Sequence, residues 1–454
     1  MRDGLVHGAD VTHDRTASCP DLGSGNEPPD VRVRPPGPAS RAWLERASRV
    51  SAPMGPRVVP GRPRAAVVYR AAWGSNVLDV DGNRYVDLCG GFGAQLLGHR
   101  HPAVTRALGG QLERLWQALG DVHPADAKIA LLERLAGLFP ARTVRGILGQ
   151  SGADAVTAAL KTAVLVTGRP GVVAFQGSYH GLSYAPLAAS GLRGSYRDPF
   201  AAQLNPHVAF VEYPASPAGA AAAVDQVAAQ LRQGHVGAVL IEPVLGRGGC
   251  VVPPAGFLAE VARRCRDAGA LLIADEIWTG LGRAGAALRS VADGVVPDLV
   301  CLGKGLGGGL PVSACLGHGD LMDAWSRDAE VVHTATFTGA PLPAAAALST
   351  LDVLERERLD ERAVALGDRL RAALAAALPG RSVRGRGLMI GVELGGGPGA
   401  AVAVARRLLE RGYLTSTGGG AREVLVLTPP LTIDEALLEA FVPALVAATE
   451  EGVG

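Results

Sequence analysis

Three apolar runs of strand length end on groups that could do chemistry. GAVLIEP runs into Glu242, ALLIADE into Asp275 and Glu276, and PDLVCLGK into Lys304. In open α/β sheets ligands sit beyond the carboxyl ends of the strands, so acids and an amine arriving there from separate strands describe a site. Taken singly, each also fits an ion pair or a capping group at a strand end. The lysine carries a further signal, because the chain has three lysines, Lys128, Lys161 and Lys304, among 44 basic residues. Where arginine serves nearly everywhere else, a retained primary amine has a chemical use: it condenses with an aldehyde. Lys128 in DAKIALLERL and Lys161 in ADAVTAALKTAV read as solvated helix positions. Gly303, Gly305 and the LGGG that follows leave room for a flat ligand to approach the backbone around Lys304. This is not a phosphate-binding P-loop, because Lys304 comes directly off a strand and is followed by glycine.

Other segments supply what an amine of this kind would need. ILGQSGADAVTAALKTAV reads as a strand, a turn at Gln150–Gly152 and a helix whose first turn exposes the amides of Gly152 and Ala153, a ready anion site. Ser151 followed by Asp154 also matches an ordinary N-terminal cap. GVVAFQGSYHGLS leads from a strand to Tyr179 and His180, where an aromatic ring can lie on a planar ligand or simply be packed in a core. Thr336, in HTATFTGAP, is by itself a loop threonine before a helix.

The elements that must position these groups follow from periodicity. Between about residues 105 and 345, apolar runs alternate with Ala/Leu/Arg stretches of helical period, which predicts an α/β unit with a mainly parallel sheet between helices. Ahead of it, NVLDVDGNRYVDLCGGFG predicts a hairpin with an Asp-Gly turn over part of residues 65–105. Residues 346–454 suggest a smaller α+β unit, completed by 65–105. Residues 1–64, rich in Pro, Gly and Arg, are expected to form a mostly loose extension, free to settle on another surface, with one short amphipathic helix at SRAWLERASRV.

Bulk properties narrow the function classes. A chain of 454 residues, 48% hydrophobic, can bury a large core, and its formal charge of +1 gives no field that gathers nucleic acid or anionic membrane. Small molecules and a second copy of the chain are the expected partners. The six cysteines lie apart with no C-x-x-C pair, which excludes a recognisable zinc motif and a disulfide scaffold and fits a reducing cytoplasm. The first residues, MRDGLVHGADVTHDRT, lack the apolar core of a leader, and no run is long enough to cross a bilayer.

Taken in order, DVDGNRYVDLCGG…LGHRHPAV, SGADAVTAALKTA, YHG, IEPVLGRGG, ADEIWTGLGR, LGKGLGGGLP and HTATFTGAP resemble the class III aminotransferases, of the ornithine/4-aminobutyrate type, over roughly residues 66–445. The resemblance implies a fold type I pyridoxal-phosphate enzyme that passes an amino group from an amine or amino acid to a 2-oxo acid by a ping-pong cycle. Lys304 would be its Schiff-base lysine and Asp275 the partner of the pyridine nitrogen. Gly152 and Ala153 would hold the phosphate beside Ser151. Tyr179 and Ile277 would cover the two ring faces, with His180 among the cofactor residues, and Glu242 would lie near the substrate and the ring oxygen. Thr336 would reach the phosphate of a neighbouring subunit, making the protein a homodimer. The same scaffold also supports racemisation or epimerisation, decarboxylation or an amino shift, and a non-catalytic binding role is a further alternative.

The departures concern the substrate side. Ala153 stands where many members have a hydroxyl, and Trp278 stands where many have glutamine. Arg247 and Val426 occupy positions where glutamate- and ω-amino-acid-specific members pair a glutamate with an arginine, and Leu182 replaces the arginine of acetylornithine-type members. These changes speak against the standard 4-aminobutyrate and acetylornithine substrate sets. Arg247 reads either as a carboxylate anchor or as a surface arginine on a GRGG loop.

Overall fold

The computed structural model describes residues 22–52, 66–326 and 331–451. The leader reading of the first residues and Cys19 lie outside the described residues.

Three strands open the ordered body: β1 (Tyr69–Trp73), β2 (Asn76–Asp79) and β3 (Arg84–Asp87), paired antiparallel in sequence. Gly82, at φ +86°, takes the left-handed position of the predicted Asp-Gly turn. The central sheet follows, with β4 (Val144–Gly149), β5 (Gly171–Phe175), β6 (Val208–Val211), β7 (Val236–Ile241), β8 (Leu271–Asp275), β9 (Leu299–Leu302) and β10 (Ser313–His318). Its order is β4-β10-β9-β8-β7-β5-β6. Every pairing from β6 to β9 is parallel, and β10 runs antiparallel to both β9 and β4.

Alternation across the buried strands explains why this sheet needs cover on both sides. Val173, Phe175, Val239, Ile241 and Leu272 point to one face and meet the helices Pro217–Leu231 and Phe257–Ala268. Val172, Ala174, Ala238, Leu240 and Ile273 point to the other and meet the helix Gly152–Thr167. Fully burying one such side chain as large as Phe175 stabilises the fold by about 1.5–3 kcal/mol.

The last part of the chain adds β11 (Val383–Arg386), β12 (Met389–Glu393), β13 (Tyr413–Leu414), β14 (Ser416–Gly418) and β15 (Val424–Leu427). A second sheet has the order β11-β12-β15-β14, while β13 pairs in parallel with β3, so the two ends of the chain share the sheet β1-β2-β3-β13. Arg283, fully buried, donates from Nη1 to the carbonyls of Leu388 and Pro429 and so joins the loop after β8 to these C-terminal strands.

Two expectations are corrected. Residues 22–52 are not simply loose, because buried polar side chains in the hairpin tie them down. Asn76 and Glu27 exchange hydrogen bonds through the Glu27 backbone at 2.7 and 2.8 Å, and Asn83 Oδ1 accepts from the amides of Arg32 and Val33, both at 2.9 Å. The predicted amphipathic helix spans Pro38–Val50 and is largely exposed. The second correction is Lys128, which is buried rather than solvated: its amine is bonded to the Gly120 carbonyl and the Asp121 carboxylate. Lys161 stays exposed, yet donates to the Val332 carbonyl at 2.7 Å.

Candidate active site

The sheet brings β7, β8 and β9 side by side, so Glu242, Asp275 and Lys304 emerge as neighbours at one edge. Asp275 is buried. Its Oδ2 lies 2.6 Å from His180 Nδ1, and its Oδ1 accepts from the amide of Ile277 at 3.1 Å. His180 is thus joined to Asp275, and its Nε2 is buried with no hydrogen-bond partner among the described residues.

Glu242 is anchored differently. Oε1 accepts from the amide of Tyr179 and Oε2 from that of Gly246, each at 2.9 Å, so this carboxylate fixes the two loops that carry Tyr179 and Arg247. Burial and the nearby Asp275 carboxylate push its pKa up, against the pull of His180 and the two amides. Glu276 does not belong to the site. Extended chain alternates sides, and Glu276 turns away to accept from Thr279, Ser290 and the Arg289 amide, capping the turn at Arg289–Ala292.

Lys304 follows Gly303 in a left-handed conformation, φ +42°. Burial pushes its pKa down to about 8, against the opposing attraction of Asp275 and Glu242 and with the help of the Arg247 charge. Among the described residues its amine has no hydrogen-bond acceptor and no ion-pair partner; it faces the ring of Trp278, 4.4 Å from the centroid.

The start of the helix Gly152–Thr167 takes the capped form, one of its two readings from sequence. Ser151 and Asp154 make a full capping box, so the Ser151 hydroxyl accepts from the Asp154 amide, while Gly152 and Ala153 begin the helix Gly152–Thr167. Amides in the first turn have no acceptor within the helix and carry its positive dipole end. A Cβ on Gly152 would come within 2.8 Å of Ile277 Cδ1, and one on Gly303 within 3.3 Å of Ile277 Cγ2, so glycine at both places lets Ile277 close up to the cradle.

Around the opening, Tyr179 is half-buried and Leu182 exposed. The Arg247 guanidinium lies between two rings, 5.1 Å from the Tyr179 centroid and 5.9 Å from that of Phe92. It has no carboxylate partner among the described residues, and its Nε is buried without a hydrogen-bond acceptor. Phe92 escaped the sequence reading; its one signal was an aromatic residue inside the glycine run GGFG, and it holds φ +57°. Val426, on β15, is buried in an apolar cluster with Trp278 and Met389. Thr336 stands apart from these groups: it is exposed, and its carbonyl accepts from Gln117 at 2.7 Å.

The groups present fit pyridoxal phosphate. An open helix start suits a phosphate, a buried carboxylate suits a protonated ring nitrogen, and an amine of lowered pKa suits an aldehyde. Fold and site together define a fold type I pyridoxal-phosphate enzyme. The family Aminotransferase class-III matches residues 59–449, and the chain belongs to it. It is 42% identical over 388 residues to an acetylornithine aminotransferase of Mycobacterium tuberculosis, a match covering 84% of this chain and 91% of that one. A diaminobutyrate–2-oxoglutarate aminotransferase of Rhizobium meliloti is 37% identical over 430 residues, covering 85% and 88%. The fold is similar to that of a PLP-bound amine transaminase from an uncultivated Pseudomonas species, with TM-score 0.82, 30% identity and coverage of 88% of this chain and 98% of that one. The protein is a pyridoxal-phosphate-dependent transaminase acting on amino and 2-oxo compounds. Among the described residues, no helix is long and apolar enough to cross a membrane.

Proposed function

We propose that this transaminase uses Lys304 as its cofactor-binding amine and base, Asp275 as the charge that keeps the ring nitrogen protonated, and Arg247 as the anchor for a substrate carboxylate. The observation that carries the last role is the placement of the Arg247 guanidinium between Phe92 and Tyr179 with no carboxylate of its own. A planar guanidinium in that position suits a two-pronged contact with the carboxylate of the 2-oxo acceptor.

Bound pyridoxal phosphate supplies an electron sink for the pair left when the substrate Cα–H bond breaks. The protein does the rest. The amides of Gly152 and Ala153, beside Ser151, would hold the phosphate, and Tyr179 and Ile277 would flank the ring. Asp275, held by His180 and the Ile277 amide, keeps its proton on the ring nitrogen. With the cofactor bound, the Lys304 amine, when free, would serve as the base that takes up the proton of the substrate carbon and gives it back. Glu242 keeps the Tyr179 and Arg247 loops in register with each other. Trp278 walls the substrate side.

In this reading the chain divides into a large unit over 106–345 and a smaller one built from 65–105 and 346–454, which the β3–β13 pairing supports. The protein is a cytoplasmic homodimer, with no nucleic-acid or membrane partner. Exposed Trp116, Leu119, Val122, Val331 and Phe337 suit the contact with a second copy, to whose phosphate Thr336 would reach. The relatives named for acetylornithine do not fix the donor here, because Leu182, Arg247 and Val426 alter the charges that would select it.

An amine panel assayed with pyruvate and with 2-oxoglutarate identifies donor and acceptor. In the same assay Arg247→Ala is expected to raise the acceptor KM roughly tenfold or more, as loss of a charge-assisted contact predicts. An unchanged acceptor KM would remove Arg247 from the mechanism.

A further inference from the structure

Trp278 is buried and tightly wedged. A Cβ on Gly93 would lie 2.3 Å from its Nε1, and one on Gly246 2.5 Å from its Cε3, so only glycine fits at either place beside the ring. Gly93 also holds φ +86°, a conformation that side chains resist. Behind the ring, Val244, Cys250, Met389, Val424 and Val426 close an apolar cluster. Packing of this density leaves the indole little freedom to turn. One face of the ring meets the Lys304 amine at 4.4 Å.

That contact differs from the one made by Lys128, whose buried amine is bonded to a carbonyl and a carboxylate. A carboxylate bonded to an amine favours its charged form and holds it in one place. An aromatic face attracts the ammonium and accepts no proton from it. An amine on such a face keeps its position and remains free to lose a proton or move to a new partner.

We propose that Trp278 is a positioning residue for this transaminase: its indole face holds the Lys304 amine in place before it meets the cofactor aldehyde and again while it serves as the base. This rests on the role given to Lys304 above. The charged groups that also face the amine are Asp275, Glu242 and Arg247, so the ring acts within a field set by two acids and one base.

The sequence makes the test direct, because labelling with 13Cε-lysine gives only three side-chain resonances. In the cofactor-free, full-length protein the Lys304 resonance, assigned by its loss in Lys304→Ala, should lie upfield of the other two through the indole ring current. Trp278→Phe keeps an aromatic face and should retain most of the displacement; Trp278→Leu should abolish it. The pH midpoint of the same resonance should fall by roughly half a unit or more in Trp278→Leu and stay within a few tenths in Trp278→Phe. An undisplaced Lys304 resonance in the wild-type protein overturns the proposal, as does a midpoint that Trp278→Leu leaves in place or raises. If Trp278→Leu does not fold, the wild-type and Trp278→Phe displacements decide alone. The prior reading fails separately: Lys304→Ala protein that still captured pyridoxal phosphate covalently would remove Lys304 from its role, whatever the ring does.

Discussion

Lys304 leaves β9 with its amine over an indole ring, whereas Lys128, the more buried of the two, is bonded to the Gly120 carbonyl and the Asp121 carboxylate. Lys161 resembles Lys128 in kind, since it donates to the Val332 carbonyl. Both structural lysines thus brace loops, residues 116–123 and 331–339, that display exposed apolar side chains. Lysine rarity singles out all three residues equally. What the amine touches separates them: one is kept available, and two are used up as fasteners.

Substitutions should therefore split by region. Lys304→Ala should lower turnover by roughly 10²–10⁴-fold, the usual worth of a positioned acid–base group, and remove the visible absorption of lysine-bound cofactor. Its melting temperature should hold or rise, because removal of the water around the charged amine outweighs the attraction of Asp275 and Glu242, and no hydrogen bond among the described residues is lost. A Lys304→Ala protein with wild-type turnover would erase the contrast. Lys128→Ala should do the reverse, costing about 1–3 kcal/mol in chemical denaturation through lost packing and an unpaired Gly120 carbonyl. Turnover per folded molecule should stay within a fewfold of wild type.

A pH series sharpens the same point. With its pKa at about 8 in the folded protein and 10.5 ordinarily, Lys304 holds fewer protons folded than unfolded between those values. The stability of cofactor-free protein should then gain a rising component from pH 8 toward 10.5, and Lys304→Ala should lose that component in parallel denaturation curves. Below pH 8 both states carry the proton and the component is absent. The smallest effect belongs to Lys161→Ala, expected to cost no more than about 1 kcal/mol because its single hydrogen bond is solvent-exposed. A loss as large as that of Lys128→Ala would show that exposure does not discount such a fastener.

The sheet was legible because buried parallel strands write themselves as continuous apolar runs, and Glu242, Asp275 and Lys304 mark their ends. The capping box at Ser151 and Asp154 was legible for a similar reason, being local. What sequence could not give depends on contacts between distant segments. Glu276 sits beside Asp275 in the chain, yet its partners come from residues 279–290, which remove it from the site. Lys128 lies in an ordinary helical pattern, and only the fold of residues 120 and 121 against it shows that it is buried. Phe92 meets Arg247 across 155 positions, a distance no local pattern spans.

Asn76 and Asn83 give the segment from Glu27 to Val33 an importance for protein engineering that its composition hides. Both amide side chains are inside the body of the protein, and their partners there include the backbone of that segment. A version trimmed to begin at Val67, where the apolar pattern starts, would strip two interior amides of several hydrogen bonds at once. Affinity tags and fusion partners are better attached ahead of residue 22 than spliced in at the apparent start of the catalytic body.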